Sequence, residues 1–196
     1  MADVVNQLGF GWYAVANSTA TASTTYTDGV LIPGTALNKA ATIASTTVSS
    51  IDTTAAGVKF SNSYALRSAY GVSFAGQIRA RVKWTESAAA PAGATGRINV
   101  DLKRRDTSGN ISAITGVTKG SGKPRALDVA QATTYTENQI VVNVPNQTLA
   151  PGESFVIVVE FEVLATSAGN SLTVALSTDA ATSGNELVVE FDAGRY

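Results

Sequence analysis

The sequence has no cysteine and no histidine. The first absence excludes disulfide cross-links, thiolate metal sites and a cysteine nucleophile. The second removes the commonest general base, the commonest metal ligand and any Ser-His-Asp arrangement. Charge is scarce too: charged residues make up 15% of the 196 positions, against roughly 25% in an average soluble domain. The strongest apolar run is Phe155-Val156-Ile157-Val158-Val159, far short of the ~18 residues a membrane helix needs, so no membrane partner is expected. Met1-Ala2-Asp3-Val4-Val5-Asn6 carries an acid where a secretory signal carries positive charge, so no signal peptide is expected. What is abundant is Ala, Thr, Ser, Gly and Val. A chain of this length suits one domain, or one domain plus an arm.

The net charge of −1 conceals a segregation. Residues 1–70 are balanced. Residues 71–125 hold ten Lys or Arg against Glu86, Asp101 and Asp106, whereas residues 126–196 hold only Arg195 against nine Asp or Glu. Two readings stand: ion pairing across neighbouring strands, or positive-to-negative contact between identical copies.

Alternation with period two runs through the second part of the chain and predicts strands. In 77–85, Ile78, Ala80, Val82 and Trp84 take one parity and Arg79, Arg81 and Lys83 the other. In 97–103, Ile98, Val100 and Leu102 alternate with Arg97, Asn99, Asp101 and Lys103. Asp106–Asn110 reads as a turn, with 111–119 as its hairpin partner. A strand over 139–144 should stop at Pro145, which has no ladder donor. In 154–164, Phe155, Ile157, Val159, Phe161 and Val163 point inward, and the outer parity runs from Val156 and Val158 to Glu160 and Glu162. Strands over 171–177 and 186–192 follow, the latter with Phe191 inward. Residues 126–132 are the one stretch that suits a short helix. The fold class predicted is all-β: an antiparallel β-sandwich, jelly-roll-like, with its body over 71–196.

Residues 1–70 lack clean alternation at their start and are rich in Ser, Thr and Ala. They read either as an extended N-terminal arm or as the first strands of the same sandwich. Phe10, Trp12 and Tyr13, beside Gly9 and Gly11, form an aromatic cluster of the kind that anchors interfaces. These three are the candidate partner-interface residues.

No constellation builds an active site. Glu160 with Glu162, and Glu190 with Asp192, are spaced i, i+2 on single strands. They read as solvated outer faces, whereas glycosidases need carboxylates facing across a cleft. Asp106-Thr107-Ser108-Gly109-Asn110 has too few acids for a Ca²⁺ loop and reads as a plain turn. Gly116, Gly120 and Gly122 match no phosphate loop. Lys103-Arg104-Arg105 lacks the stacking aromatics of a nucleic-acid groove and reads as a solvated strand end. The expectation is no catalytic, cofactor-binding or metal residue, no cofactor and no nucleic-acid partner.

The stretches 76–84, 97–110 and 149–155 together give residues 70–196 a style that resembles the small jelly-roll structural proteins of tailed bacteriophages, above all capsid decoration (cement) proteins. The resemblance implies a non-enzymatic virion protein, made in the host cytoplasm and placed on the capsid surface. It also implies a homo-oligomer, most often a trimer, that clamps neighbouring copies of the major capsid protein and stabilises the head. Alternatives are another tail or fibre component, a glycan-binding β-sandwich module, or a cell-surface filament subunit.

Overall fold

The computed structural model of the chain describes residues 11–16, 27–33, 46–66, 72–86, 93–127, 133–167, 171–177 and 188–193. These residues contain thirteen strands: β1 (Gly11–Ala16), β2 (Thr27–Pro33), β3 (Thr46–Asp52), β4 (Gly57–Leu66), β5 (Val72–Glu86), β6 (Thr95–Arg105), β7 (Ile111–Ala113), β8 (Gly120–Ser121), β9 (Arg125–Ala126), β10 (Thr133–Leu149), β11 (Ser154–Ala165), β12 (Ser171–Ser177) and β13 (Val188–Ala193). The fold is all-β and sandwich-like, as the alternation predicts.

β5 organises one layer. Along one side it pairs with β10 over nearly its whole length, and along the other with β13 and then β12. The second layer is built on β11, which lies between β4 and β6. The route between layers runs β13-β1-β2-β4, so a single curled sheet supplies both. β1 is held on both sides, with Gly11 opposite Glu190 and Tyr13 opposite Val188 on β13, and Tyr13 opposite Ile32 on β2. All these pairs are antiparallel except β2 with β4. Strands β1 to β4 lie in the stretch where clean alternation was missing.

At the other side the layers meet where β8 passes β10. Thr118 bridges to Asn143. A Cβ on Gly120 would stand 2.4 Å from the Val141 carbonyl oxygen, so only glycine lets the two backbones come this close.

The core lies between the layers. Ile78, Ala80, Val82 and Trp84 of β5 face Ile98, Val100 and Leu102 of β6 and Phe155, Ile157, Val159, Phe161 and Val163 of β11; all are buried. Trp84 joins the layers: its ring lies 4.5 Å from Tyr135 on the adjacent strand and 5.3 Å, edge-on, from Phe161 opposite. Each fully buried large side chain stabilises the fold by about 1.5–3 kcal/mol. The side chain of Phe191 is outside the described residues.

Three local expectations are corrected. The strand at 139–144 does not stop at Pro145; β10 runs on to Leu149. Register slips between Val144 and Gln147 absorb the proline in a bulge, and a second slip lies between Glu137 and Ile140. Each inserts one residue and reverses the inward parity, so Tyr135, then Ile140, Val142 and Val144, then Leu149 all reach the core. The expected helix over 126–132 begins instead in a strand, since Arg125 and Ala126 pair with β6; residues 128–132 lie outside the described part. The hairpin partner expected over 111–119 is a strand only at Ile111–Ala113.

Candidate functional site

β4, β11 and β6 also share an outward face, and its residues fall into rows by register. Ser61, Glu160 and Asn99 form one row and Ser63, Val158 and Asp101 the next; Glu162 pairs with Arg97, and Val156 with Lys103. The sequence reading places these acids in solvent. The structure overturns that: Asn99, Val156 and Val158 are 0% exposed, Ser63 1%, and Glu160 9%. Part of the cover comes from the chain beyond β6. Ile111 packs on Val156 and Val158, and Lys119 lays its ammonium on Glu160, Nζ donating to Oε2 at 3.1 Å.

A carboxylate taken out of water needs partners, and each acid here has them. Glu162 Oε2 accepts from Arg97 Nε at 2.9 Å and from Asn99 Nδ2 at 2.8 Å. Burial pushes the Glu162 carboxyl up. The bonds from Asn99 and Arg97, with the charges of Arg97 and Lys119, outweigh this and hold it below its ordinary value. Asp101 goes the other way. Burial raises it and the nearby Glu160 adds to the rise, against the opposing charges of Lys103 and Lys119. Lys103 Nζ stands 4.0 Å from Asp101 Oδ2. The cluster thus sets Arg97, Lys103 and Lys119 against Asp101, Glu160 and Glu162, three charges of each sign.

Two smaller constructions lie at the end of β6. Arg104 clasps Glu153 through Nε and Nη2, and Glu153 also accepts from the Ala150 amide at 2.7 Å. The Arg104 bonds, then the Ala150 bond, hold the Glu153 carboxyl low. So Arg104 is not simply a solvated strand end; it pins the β10–β11 turn. Asp106 closes its own turn, accepting from the Ser108 and Asn110 amides and from Asn110 Nδ2, each at 2.9 Å. Gly109 completes that turn with φ of 92°.

These pairs account for much of the charge segregation. The cationic strands β5 and β6 lie beside the acidic strands β13 and β11, with Arg79 directly opposite Glu190 and Arg97 directly opposite Glu162. Cross-strand pairing, one of the two readings of the sequence, is realised within the chain.

Of the three aromatic candidates, Phe10 lies outside the described residues. Trp12 and Tyr13 are on β1, and their side chains are outside the described part. At Trp12 and Tyr13 strands are hydrogen-bonded along both sides of β1, so no free strand edge is offered there. Sequence reasoning missed Ser61, Ser63, Asn99 and Lys119 as members of one cluster. The signal for it was present: Val156 and Val158 make both parities of β11 apolar, the mark of a strand buried on both faces. Among the described residues, no group of three or more His, Cys, Asp or Glu is placed to hold a metal ion, and no helix is long and apolar enough to cross a membrane.

No protein-family model and no curated protein matches the chain. Among solved structures it is similar to two of a CocE/NonD family hydrolase from Staphylococcus aureus. One shows 10% identity and a TM-score of 0.44, covering 91% of this chain and 40% of that one. The other shows 8% identity and a TM-score of 0.48, covering 94% and 37%. The chain therefore spans well under half of those hydrolase chains, and at this level of likeness neither their fold family nor their activity passes to it.

Proposed function

We propose that this protein is a non-enzymatic assembly subunit, and that its working surface is the head of a tailed bacteriophage, which it decorates as a homo-oligomer. The observation that supports the reading is the charge-matched cluster on β4, β11 and β6. Glu160 and Glu162 are occupied by Lys119, Arg97 and Asn99, and Lys103 stands 4.0 Å from Asp101, so the cluster reads as a fastening within the subunit. A catalytic pair would hold such groups ready for a substrate. The resemblance of residues 70–196 to decoration proteins supplies the partner, the major capsid protein. Because opposite charges are largely met inside the chain, contact between copies would rest on apolar and main-chain groups, with several weak sites per oligomer adding through avidity.

The test mixes purified protein with undecorated phage heads and measures its oligomer mass. Stoichiometric co-sedimentation by an oligomer, trimeric by expectation, supports the reading. Failure to bind heads, or an ester- or glycoside-hydrolysing turnover lost in Glu160→Gln, overturns it.

A further inference from the structure

Asn99 is fully buried, and its side-chain oxygen Oδ1 has no hydrogen-bond partner. Such an orphan is uncommon, and each one asks for a reason. Its amide nitrogen is fixed on Glu162, 2.8 Å away, so the Cγ carbonyl is presented in one orientation. Glu160 stands directly opposite Asn99 in the β6–β11 ladder, where side chains of paired residues are about 4.5–5.5 Å apart at Cβ.

Lys119 approaches from the far side. It immediately precedes β8, whose Gly120 and Ser121 pair with Val100 and Asn99 of β6. β6 thus lies between the Lys119 backbone and β11. Adjacent strands are about 4.8 Å apart, so a lysine that reaches Glu160 must stretch across β6. Its Nζ does reach Glu160 Oε2, at 3.1 Å, and its charge is felt at both Asp101 and Glu162. The β8 register, continued by one residue, sets Lys119 opposite Asp101, so its side chain crosses β6 between Asp101 and Asn99 to reach Glu160. An amine, a carboxamide carbon and two carboxylates are gathered in a partly desolvated layer.

We propose that Lys119 and Asn99 condense into an intramolecular isopeptide bond, with Glu160 as the proton acceptor and Glu162 orienting the amide. The Lys119 ammonium gives a proton to the Glu160 carboxylate, and the freed Nζ lone pair attacks Asn99 Cγ. The Cγ–Nδ2 bond then breaks. The proton on Glu160 and the surplus proton on Nζ leave with the amide nitrogen, which departs as ammonium. One C–N bond replaces another, charge is conserved, and no oxidant or reductant takes part. Once Nζ swings from Glu160 onto Asn99, orientation would supply the rate: well-oriented intramolecular groups reach effective molarities of about 10⁵ M and above. The product is a covalent strap from the β7–β8 segment to β6, laid over the buried face. The proposal draws on the same cluster as the assembly reading but does not require a phage head as partner.

Intact-mass spectrometry of the folded protein, incubated at neutral pH, tests it. The expected result is a deficit of one ammonia from the sequence mass. A tryptic digest should give a branched peptide joining Lys119 to Asn99, with no cleavage after Lys119. Lys119→Arg keeps a cation on Glu160 and should restore the full mass in a protein that still folds. Glu160→Gln should form the bond far more slowly. Full mass in the wild-type protein overturns the proposal. So does an ammonia deficit without a branched peptide, which marks a cyclised asparagine. A deficit of one water with a branch at Asp101 overturns it as well.

Discussion

β5 and β6 read as the same device in sequence, with apolar residues on one parity and cations on the other, yet their outer faces live in different surroundings. The outer face of β5 and β10 is wet. Ser73 Oγ meets Thr148 Oγ1 at 2.9 Å, Gln77 Nε2 donates to Asn143 Oδ1 at 3.0 Å, and Ser73, Arg79, Asn143 and Thr148 are exposed. The outer face of β6 and β11 is largely dry, with Asn99, Val156 and Val158 fully buried. The difference teaches that a strand's cationic parity does not fix its environment; the neighbouring strand does. β10 brings Asn143 and Thr148 to β5, whereas β11 brings Val156 and Val158 to β6. A polar neighbour leaves the row in water. An apolar neighbour favours a cover, and once covered the charges must be paired.

The largest expected effect breaks the comparison directly. Val158→Asp puts an unpaired carboxylate into the dry layer and should cost at least about 3 kcal/mol, or abolish folding. Val141→Asp on the wet face, where Val141 is 36% exposed and opposite Arg79, should stay within about 0.5 kcal/mol. Urea midpoints of the two variants measure the contrast, and similar losses would show that both faces are covered alike.

Next in size is the ion pairing of the dry face, which also has a pH signature. The Glu162 carboxyl is held below its ordinary 4.5. Its contribution is therefore full above pH 4.5 and is lost as pH falls through the lower folded value. Asp101 is raised above its ordinary 3.8. Its contribution is full below pH 3.8 and is lost as pH rises through the folded value. Glu162→Gln should cost about 1–2 kcal/mol at pH 7 and flatten the acid limb of a Tm–pH profile. Asp101→Asn should gain stability at pH 7 and remove a slope of the opposite sign. Parallel profiles for the two variants would mean the carboxyls do not differ.

The smallest effect belongs to the wet face. Gln77→Ala removes an exposed side-chain bond to Asn143, and its thermal midpoint should shift by no more than about 0.5 kcal/mol allows.

How far the sequence could be read follows from the same physics. β5, β6 and β11 announce themselves because the slips in their ladders fall on a partner strand or near a strand end, so one parity stays inward through 78–84, 98–102 and 155–163. β10 does not, since its two bulges reverse the parity and leave only residues 140–144 in phase. β1 to β4 were legible only as one of two readings, sandwich strands or an extended arm, because small Ser, Thr and Ala residues carry little contrast between faces. The cluster was half legible. Glu160 and Glu162 were seen as a pair, but their partners Lys119 and Arg97 lie 41 and 65 residues away, and only the fold brings them together.

The pairing of β1 with β13 sets a clock on synthesis. Some 177 residues separate Gly11 from the start of β13. At the ~5–20 residues per second of a ribosome, that is roughly 9–35 s. Through this interval β1 can take β2 as a partner, but its other side stays bare. A bare strand edge is a template for pairing with another chain. Closing the loop between these strands costs on the order of 4–5 kcal/mol in chain entropy, to be recovered when β13 docks. On a crowded polysome, each nascent chain would carry its open edge beside many identical ones until β13 emerged.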